Sequence, residues 1–122
     1  MLGREDVQAW LDRYVEAWQS YDDAAIRALF TPDATYAFHP YDEPLHGSEA
    51  IAAAWLDERD EVGSWEAAYA PELLEGNAAV ATGETRYADG MVFSNLFQLE
   101  FDDEARCARF VEWYVPHPKD PS

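Results

Sequence analysis

The chain has 122 residues, a length typical of one domain, and its 48% hydrophobic and 15% aromatic residues supply ample material for a core. Its 25 acidic residues against 8 basic ones give a formal net charge of −17, which repels the phosphates of nucleic acids and anionic lipids. No apolar run is long enough to cross a bilayer and no apolar signal core is present, so we expect a cytoplasmic domain without nucleic-acid or membrane partners.

The first thirty residues predict two helices. Apolar residues recur at spacings of three and one from Val7 to Trp18, which is the pattern of one helical stripe, so we expect a helix over residues 4–19. An aspartate pair then supplies the N-cap of a second, shorter helix over residues 24–30. Thr31-Pro32 should end this helix, because proline disfavours helical geometry in the residue before it.

A short strand, a loop and a third helix follow. Residues 34–38 are typical of a strand, whereas residues 39–44 contain two prolines and two acids and predict a loop. Gly47-Ser48 offers an N-cap for a third helix that extends to about Glu58. The inner side of this helix is expected to carry Ile51, Ala54 and Trp55.

After Gly63 the pattern becomes that of strands. Long segments alternate with short turn-forming sequences, which predicts an antiparallel meander, and the sheet must curve because only three helices cover it. The fold class is therefore α+β: a cone-shaped, curved antiparallel sheet packed on three N-terminal helices. We expect a single domain over residues 1–122 with a loose tail at 117–122. The four strand segments are residues 64–74, 78–87, 91–101 and 106–116.

Alternation of side chains assigns the inner face of one strand and suggests a partner for another. In residues 91–101 the odd positions are almost all apolar, so the odd face should point into the cone and carry Asn95. The last strand is apolar on both faces, which fits a sheet covered by helices on one side and by a second subunit on the other. We therefore predict a homodimer. Its interface would include Val111, Trp113 and Val115, and Cys107, the only cysteine, is expected to face outward or into this interface.

Three stretches carry a family resemblance: LDRYVEAWQSYDDAAIRALFTPDATY, HPYDEPLHGSEAIAAAW and NLFQLEFDDEARCARFVEWYV. They resemble the nuclear transport factor 2-like superfamily, in its SnoaL-like and ketosteroid isomerase-like branch, and the resemblance covers nearly the whole chain. It implies a cystatin-like α+β barrel with a pocket at its open end, often dimeric through the outer face of the sheet. The superfamily includes isomerases, cyclases, hydrolases, dehydratases and non-catalytic members, so the resemblance selects no single activity.

By the resemblance, only some of the catalytic residues of the ketosteroid isomerases have a counterpart in this chain. Those enzymes use a tyrosine and a protonated carboxylic acid as an oxyanion hole, and a second carboxylate moves the proton. Tyr14 matches the tyrosine, whereas the proton-moving carboxylate falls on Phe38 and the oxyanion acid near Phe97. A phenyl ring can neither accept a proton nor donate a hydrogen bond, so steroid isomerisation by that pair is not expected. His39 could act instead only if the strand end were re-aimed.

The resemblance also implies a polar cluster inside the cone. It places Phe110, Glu112 and Tyr114 inward on the last strand, and Glu84 and Arg86 inward on a strand whose facing periodicity alone leaves open. Limonene-type epoxide hydrolases of this superfamily use an acid–arginine–acid trio, which Glu84, Arg86 and Glu112 resemble with the acid and arginine reversed. We take these three as candidate catalytic residues. A structural ion pair, ligand orientation and acid–base catalysis remain the alternatives.

Further candidates would contact a ligand. Tyr14 and Asn95 would orient a substrate or stabilise developing charge, and three tryptophans could form an aromatic wall or plain core. The predicted ligand-binding residues are Tyr14, Trp18, Phe38, His39, Trp55, Trp65, Asn95, Phe97, Phe110 and Tyr114.

The loop at residues 39–46 contains metal-ligand types without a known ligand spacing, so we predict no metal, and no motif indicates a cofactor. The loop should instead border the mouth of the cone, with Tyr41 and His46 capping the third helix or contacting the ligand. The metal-ligand types are His39, Asp42, Glu43 and His46.

Two functions remain open at this point. The first is a small-molecule-binding protein. If it is an enzyme, Glu112 or Glu84 would be the acid–base group of a cofactor-free isomerase, cyclase or hydrolase. This function predicts a cavity of a few hundred Å³ with Glu112 at its wall. The second is a non-catalytic dimerisation or partner-docking domain, which predicts no cavity.

Overall fold

The computed structural model describes residues 2–57 and 65–118, which form three helices and a six-stranded sheet. The helices are α1 (Arg4–Ser20), α2 (Asp23–Ala28) and α3 (Ser48–Asp57). The strands are β1 (Phe30–Ala37), β2 (Leu45–His46), β3 (Trp65–Glu75), β4 (Ala78–Tyr87), β5 (Val92–Phe101) and β6 (Cys107–Pro116). The α+β class is confirmed. The predicted helix end at Glu58, the predicted strand start at Ser64 and the end of the tail lie outside the described residues.

The two N-terminal helices form where the pattern predicts them, but the second ends earlier. α1 buries Val7, Trp10, Leu11, Tyr14 and Ala17 as one stripe. Asp22 caps α2, since its carboxylate accepts a hydrogen bond from the N–H of Ala24 at 3.0 Å. The predicted extension of α2 to Phe30 is wrong. Phe30 begins β1 and pairs with Cys107 of β6. Because Pro32 prevents the helix from continuing, this segment joins the sheet as a strand.

The strand order is β2-β1-β6-β5-β4-β3. The four long strands β3 to β6 form the predicted antiparallel meander. β1, however, pairs in parallel with β6, with Tyr36 opposite Phe110, so the sheet is mixed and not wholly antiparallel. This pairing is sterically allowed because α3 and four strands lie between β1 and β6 and provide the crossover that parallel neighbours need.

An aromatic core fills the space between α1 and the inner face of the sheet. The ring of Trp10 is completely buried and meets the rings of Phe30 and Phe101 edge-on. Its indole N–H donates to the carbonyl oxygen of Leu29 at 2.9 Å, so the one polar atom of this large side chain has a partner. Among the described residues, no helix is long and apolar enough to span a membrane.

Cys107 belongs to this core, which corrects the expectation that it faces outward or into an interface. A register shift between Glu100 and Phe101 changes the phase of β6, so that Cys107 lies opposite Phe101 with its side chain inside. The thiol donates to the carbonyl oxygen of Arg109 at 3.1 Å, and burial raises its pKa. Cys107 is therefore an inert core residue.

Candidate functional site

A cavity of about 690 Å³, open on one side, is bordered by α1, α3 and five of the strands. Ten of its sixteen described lining residues are tyrosine, tryptophan or phenylalanine, so most of its wall is apolar and flat. Its polar lining residues are His39, Asp42, Thr85, Asn95 and Glu112. The volume lies within the range of small-molecule sites, and Glu112 stands in its wall, as the first of the two open functions predicts.

Most of the predicted ligand-contacting residues do line this cavity. They are Tyr14, Trp18, Phe38, His39, Trp55, Asn95 and Tyr114.

Three others pack behind the wall. Phe97 and Phe110 are almost fully buried and lie against the ring of Tyr14, with centroid distances of 5.6 and 5.5 Å. Trp65 stacks on Trp18 at 3.7 Å. These three support the cavity without bordering it.

Glu84 and Arg86 face the opposite side of the sheet, so the predicted Glu–Arg–Glu cluster is wrong. In the β4–β5 hairpin, Thr85 lies opposite Phe93, and directly opposed residues share a face. Because Phe93 points inward, the odd residues of β4 do so as well, and the even ones point outward. The side chains of Glu84 and Arg86 are 43% and 66% exposed and pair with each other at 3.0 Å, an arrangement that stabilises the fold little.

Thr85 occupies the inward position of β4 and connects a chain of hydrogen bonds across four strands. Its hydroxyl donates to Oδ1 of Asn95 at 2.9 Å, so the hydroxyl of Tyr69, 2.6 Å away, must be the donor to Thr85. The amide Nδ2 of Asn95 donates to Oε2 of Glu112 at 2.8 Å. The chain therefore presents an N–H donor to one carboxylate oxygen of Glu112 and holds the side chain in place.

The cavity is also lined by aromatic and polar residues that the sequence patterns did not predict as ligand contacts: Tyr21, Tyr36, Tyr69, Thr85, Tyr87 and Phe93. Phe93 lies on the odd-numbered face of β5, which the alternation of apolar residues predicts to point inward. Thr85 and Tyr87 follow from Phe93 once the hairpin register is known.

Burial raises the pKa of Glu112 to about 7, since the aromatic wall solvates a negative charge poorly. The hydrogen bond from Asn95 and the nearby His39 act in the opposite direction and do not cancel this effect. Near neutral pH, both the acid and the carboxylate of Glu112 are therefore populated. A group in this condition can take up or release a proton with equal ease.

Two tyrosine hydroxyls stand close to Glu112. The hydroxyl oxygens of Tyr14 and Tyr36 lie 3.2 Å apart, and burial raises the pKa of both phenols, so both keep their protons. One hydroxyl donates to the other. The second hydrogen is then available to a molecule in the cavity.

His39 and Asp42 place the loop after β1 at the cavity, as expected. Nδ1 of His39 lies 2.7 Å from the carboxylate of Asp42, and Nε2 lies 2.7 Å from the hydroxyl of Tyr114. A carboxylate only accepts, so Nδ1 is the donor, and in a neutral ring Nε2 accepts from Tyr114. Tyr41 stacks on the outer side of His39, whereas His46 pairs with Thr35 in the sheet. Among residues 2–57 and 65–118, no three or more His, Cys, Asp or Glu side chains could together hold a metal ion.

The sequence model of the SnoaL-like domain matches residues 11–117. The chain belongs to the SnoaL-like family. No curated protein matches it. Among solved structures, this SnoaL-like chain is similar to an NTF-2-like protein of unknown function from Burkholderia xenovorans LB400, with a TM-score of 0.74 and 16% identity over 96% of this chain and 88% of that one. It is also similar to a putative ketosteroid isomerase from Kribbella flavida DSM 17836, with a TM-score of 0.73 and 17% identity over 98% and 84% of the two chains. At these identities the likeness shows the fold alone.

Phe38 and Phe97 are the positions at which the resemblance placed the acids of the steroid isomerases. Phe38 is 39% exposed at the cavity wall, and its ring meets that of Tyr36 edge-on. Phe97 is buried against Tyr69. Neither ring can transfer a proton. Two carboxyl groups line the cavity, and Glu112 is the one that is not hydrogen-bonded to His39.

Proposed function

We propose that this SnoaL-like protein binds a small molecule with an aromatic or apolar body and transfers a proton to or from it without a cofactor. The observation that carries the proposal is the carboxyl group of Glu112, which lies in an aromatic cavity and has a pKa of about 7. Burial of this kind is costly to the folded state, and functional sites are where proteins retain such groups.

The geometry assigns a role to each polar neighbour. Asn95 holds Oε2 of Glu112, which leaves Oε1 free to accept a proton from a carbon next to a carbonyl group. The free hydrogen of the Tyr14–Tyr36 pair can then donate to the oxygen on which negative charge develops. Isomerisation and carbon–carbon cyclisation contain such a proton transfer, whereas in hydrolysis the same carboxylate would take the proton from the attacking water.

The test begins with a library of small molecules screened for thermal stabilisation, because a molecule bound only to the folded state raises its melting temperature. Molecules that stabilise the protein and carry a C–H acid are then incubated in D₂O, and their hydrogen exchange is followed by NMR. We expect Glu112→Gln to slow this exchange at least about 100-fold. Glu84→Gln removes a carboxylate from the outer face and serves as the matched control. Exchange at the wild-type rate in Glu112→Gln would refute the proposed role.

The outer face of the sheet supports a second part of the proposal, a homodimer. Trp113 and Val115 are 47% and 64% exposed there, which is unusual for large apolar side chains on neighbouring outward positions of one strand. We expect light scattering to give twice the mass of the 13.9 kDa chain at micromolar concentration. The double variant Trp113→Glu, Val115→Glu should be monomeric, and a monomeric wild-type protein would contradict the proposal. A domain with association as its only role needs no internal cavity, so the cavity weighs against that alternative.

A further inference from the structure

We infer that the cavity selects an organic cation: a protonated amine or a quaternary ammonium group attached to an apolar or aromatic body. This inference rests on the proposed function, since it names the class of molecule that the same site would take. Three independent features of the described residues support it: the charges that face the cavity, the nature of its wall, and the field of the whole chain.

The charges that face the cavity are unbalanced. Glu112 and Asp42 border it, whereas none of its described lining residues is a lysine or an arginine. Several arginines are occupied outside it, where Arg27, Arg86 and Arg106 pair with Asp23, Glu84 and Asp102. An anionic ligand would therefore meet two carboxylates and, among the described lining residues, neither a lysine nor an arginine.

His39 is not available to pair with an anionic ligand. Both of its ring nitrogens are engaged, Nδ1 by Asp42 and Nε2 by Tyr114, each at 2.7 Å. Asp42 is thereby partly satisfied as well. Glu112 accepts one hydrogen bond from Asn95 and forms no ion pair among the described residues. His39 acts on it only from beyond ion-pair distance, so a cation in the cavity would be its first direct partner of opposite charge.

The wall of the cavity is suited to a cation. Aromatic rings carry negative charge on their faces, and a cation close to several such faces is stabilised most when water is excluded. Tyr14 and Tyr36 stack on Phe110 in the core, whereas Phe38 and Tyr114 border the cavity and are 39% and 41% exposed. An ammonium group placed between these rings and the carboxylate would satisfy Glu112. A neutral ligand of the same shape would contact the rings equally well but would leave the carboxylate of Glu112 without a partner of opposite charge.

The field of the whole chain acts in the same direction. A formal charge of −17 attracts cations to the surface and raises their local concentration and their rate of association. This effect is screened by salt, so it should weaken as ionic strength rises.

The experiment compares three ligands that differ in one substituent of benzyl alcohol: a 4-trimethylammonium group, the uncharged and equally large 4-tert-butyl group, and an anionic 4-sulfonate. Binding is followed by tryptophan fluorescence, because Trp18 and Trp55 line the cavity, and by calorimetry. We expect the cation to bind at least tenfold more tightly than the tert-butyl compound and the sulfonate not to bind. Glu112→Gln should reduce this preference to threefold or less, whereas Glu84→Gln should retain it.

The outcomes separate this inference from the proposed function. Equal or tighter binding of the tert-butyl compound would overturn the cation preference and leave the small-molecule site standing. A preference that survives in Glu112→Gln would also overturn it, as would failure of the cation to bind at millimolar concentration. The proposed proton transfer is judged separately, by deuterium exchange in the molecules found by screening.

Discussion

Replacing Glu112 with glutamine is expected to make the protein more stable at about pH 8 and to leave its stability at about pH 4 unchanged. The folded state raises the pKa of Glu112 from 4.5 to about 7, so between these values it binds the proton more tightly than the unfolded chain does. The stabilisation from this carboxyl group is therefore complete below its ordinary pKa and is lost as the pH rises through about 7. The loss amounts to about 3 kcal/mol.

Glutamine resembles the protonated acid, because it is neutral and still offers an oxygen to the amide of Asn95. The free energy of unfolding is measured by urea titration at several pH values for the wild type and for Glu112→Gln, with Glu84→Gln as the control of equal charge change. The difference between Glu112→Gln and wild type should grow as the pH rises, whereas Glu84→Gln should follow the wild type. Parallel curves for all three proteins would show that Glu112 titrates as an ordinary exposed carboxylate.

Adding one methyl group at Gly83 is expected to destabilise the fold by about 3 kcal/mol or more. A Cβ atom there would overlap the carbonyl oxygen of Ala68 and lie 2.8 Å from the Cα of Tyr69, both in the neighbouring strand. Backbone atoms of β3 can withdraw only by breaking the β3–β4 pairing. The ring of Tyr69 also occupies this space, and the missing side chain of Gly83 lets it lie across β4 with its hydroxyl at Thr85.

Thermal unfolding of Gly83→Ala should show a fall in melting temperature of at least about 10 °C, or no folded protein should accumulate. Thr82→Ala is the control, since it lies next in the same strand and loses one exposed hydrogen bond to Glu72, worth about 1 kcal/mol or less. An unchanged melting temperature for Gly83→Ala would mean that β3 and β4 are further apart at this point than described.

The parts of this site that could be predicted from sequence are those where one face of a strand differs clearly from the other. The odd face of β5 is apolar and its even face is not, so Asn95 could be placed correctly. β4 offers no such contrast, because alanine and threonine occur on both faces. The superfamily resemblance implies the wrong phase for β4, and the register of the hairpin, with Thr85 opposite Phe93, corrects it.

Other features depend on contacts between distant parts of the chain. The inward position of Cys107 results from a register shift that no local pattern announces. The pair formed by Tyr14 and Tyr36 joins a helix to a strand, and only the parallel pairing of β1 with β6 brings Tyr36 beside Phe110. Secondary-structure propensity and side-chain alternation depend on neighbours along the chain, so they do not predict contacts between residues that are distant in sequence.

The β1–β6 pairing also has a kinetic consequence. Tyr36 and Phe110 are neighbours in space but far apart along the chain, so their pairing closes a long loop at a cost in entropy, and we expect it to form late in folding. Glu112 and Tyr114 arrive with β6, which means that the cavity does not exist in any partly folded state that lacks this strand. A bound molecule would therefore slow the opening of the finished protein and leave the speed at which it assembles unchanged.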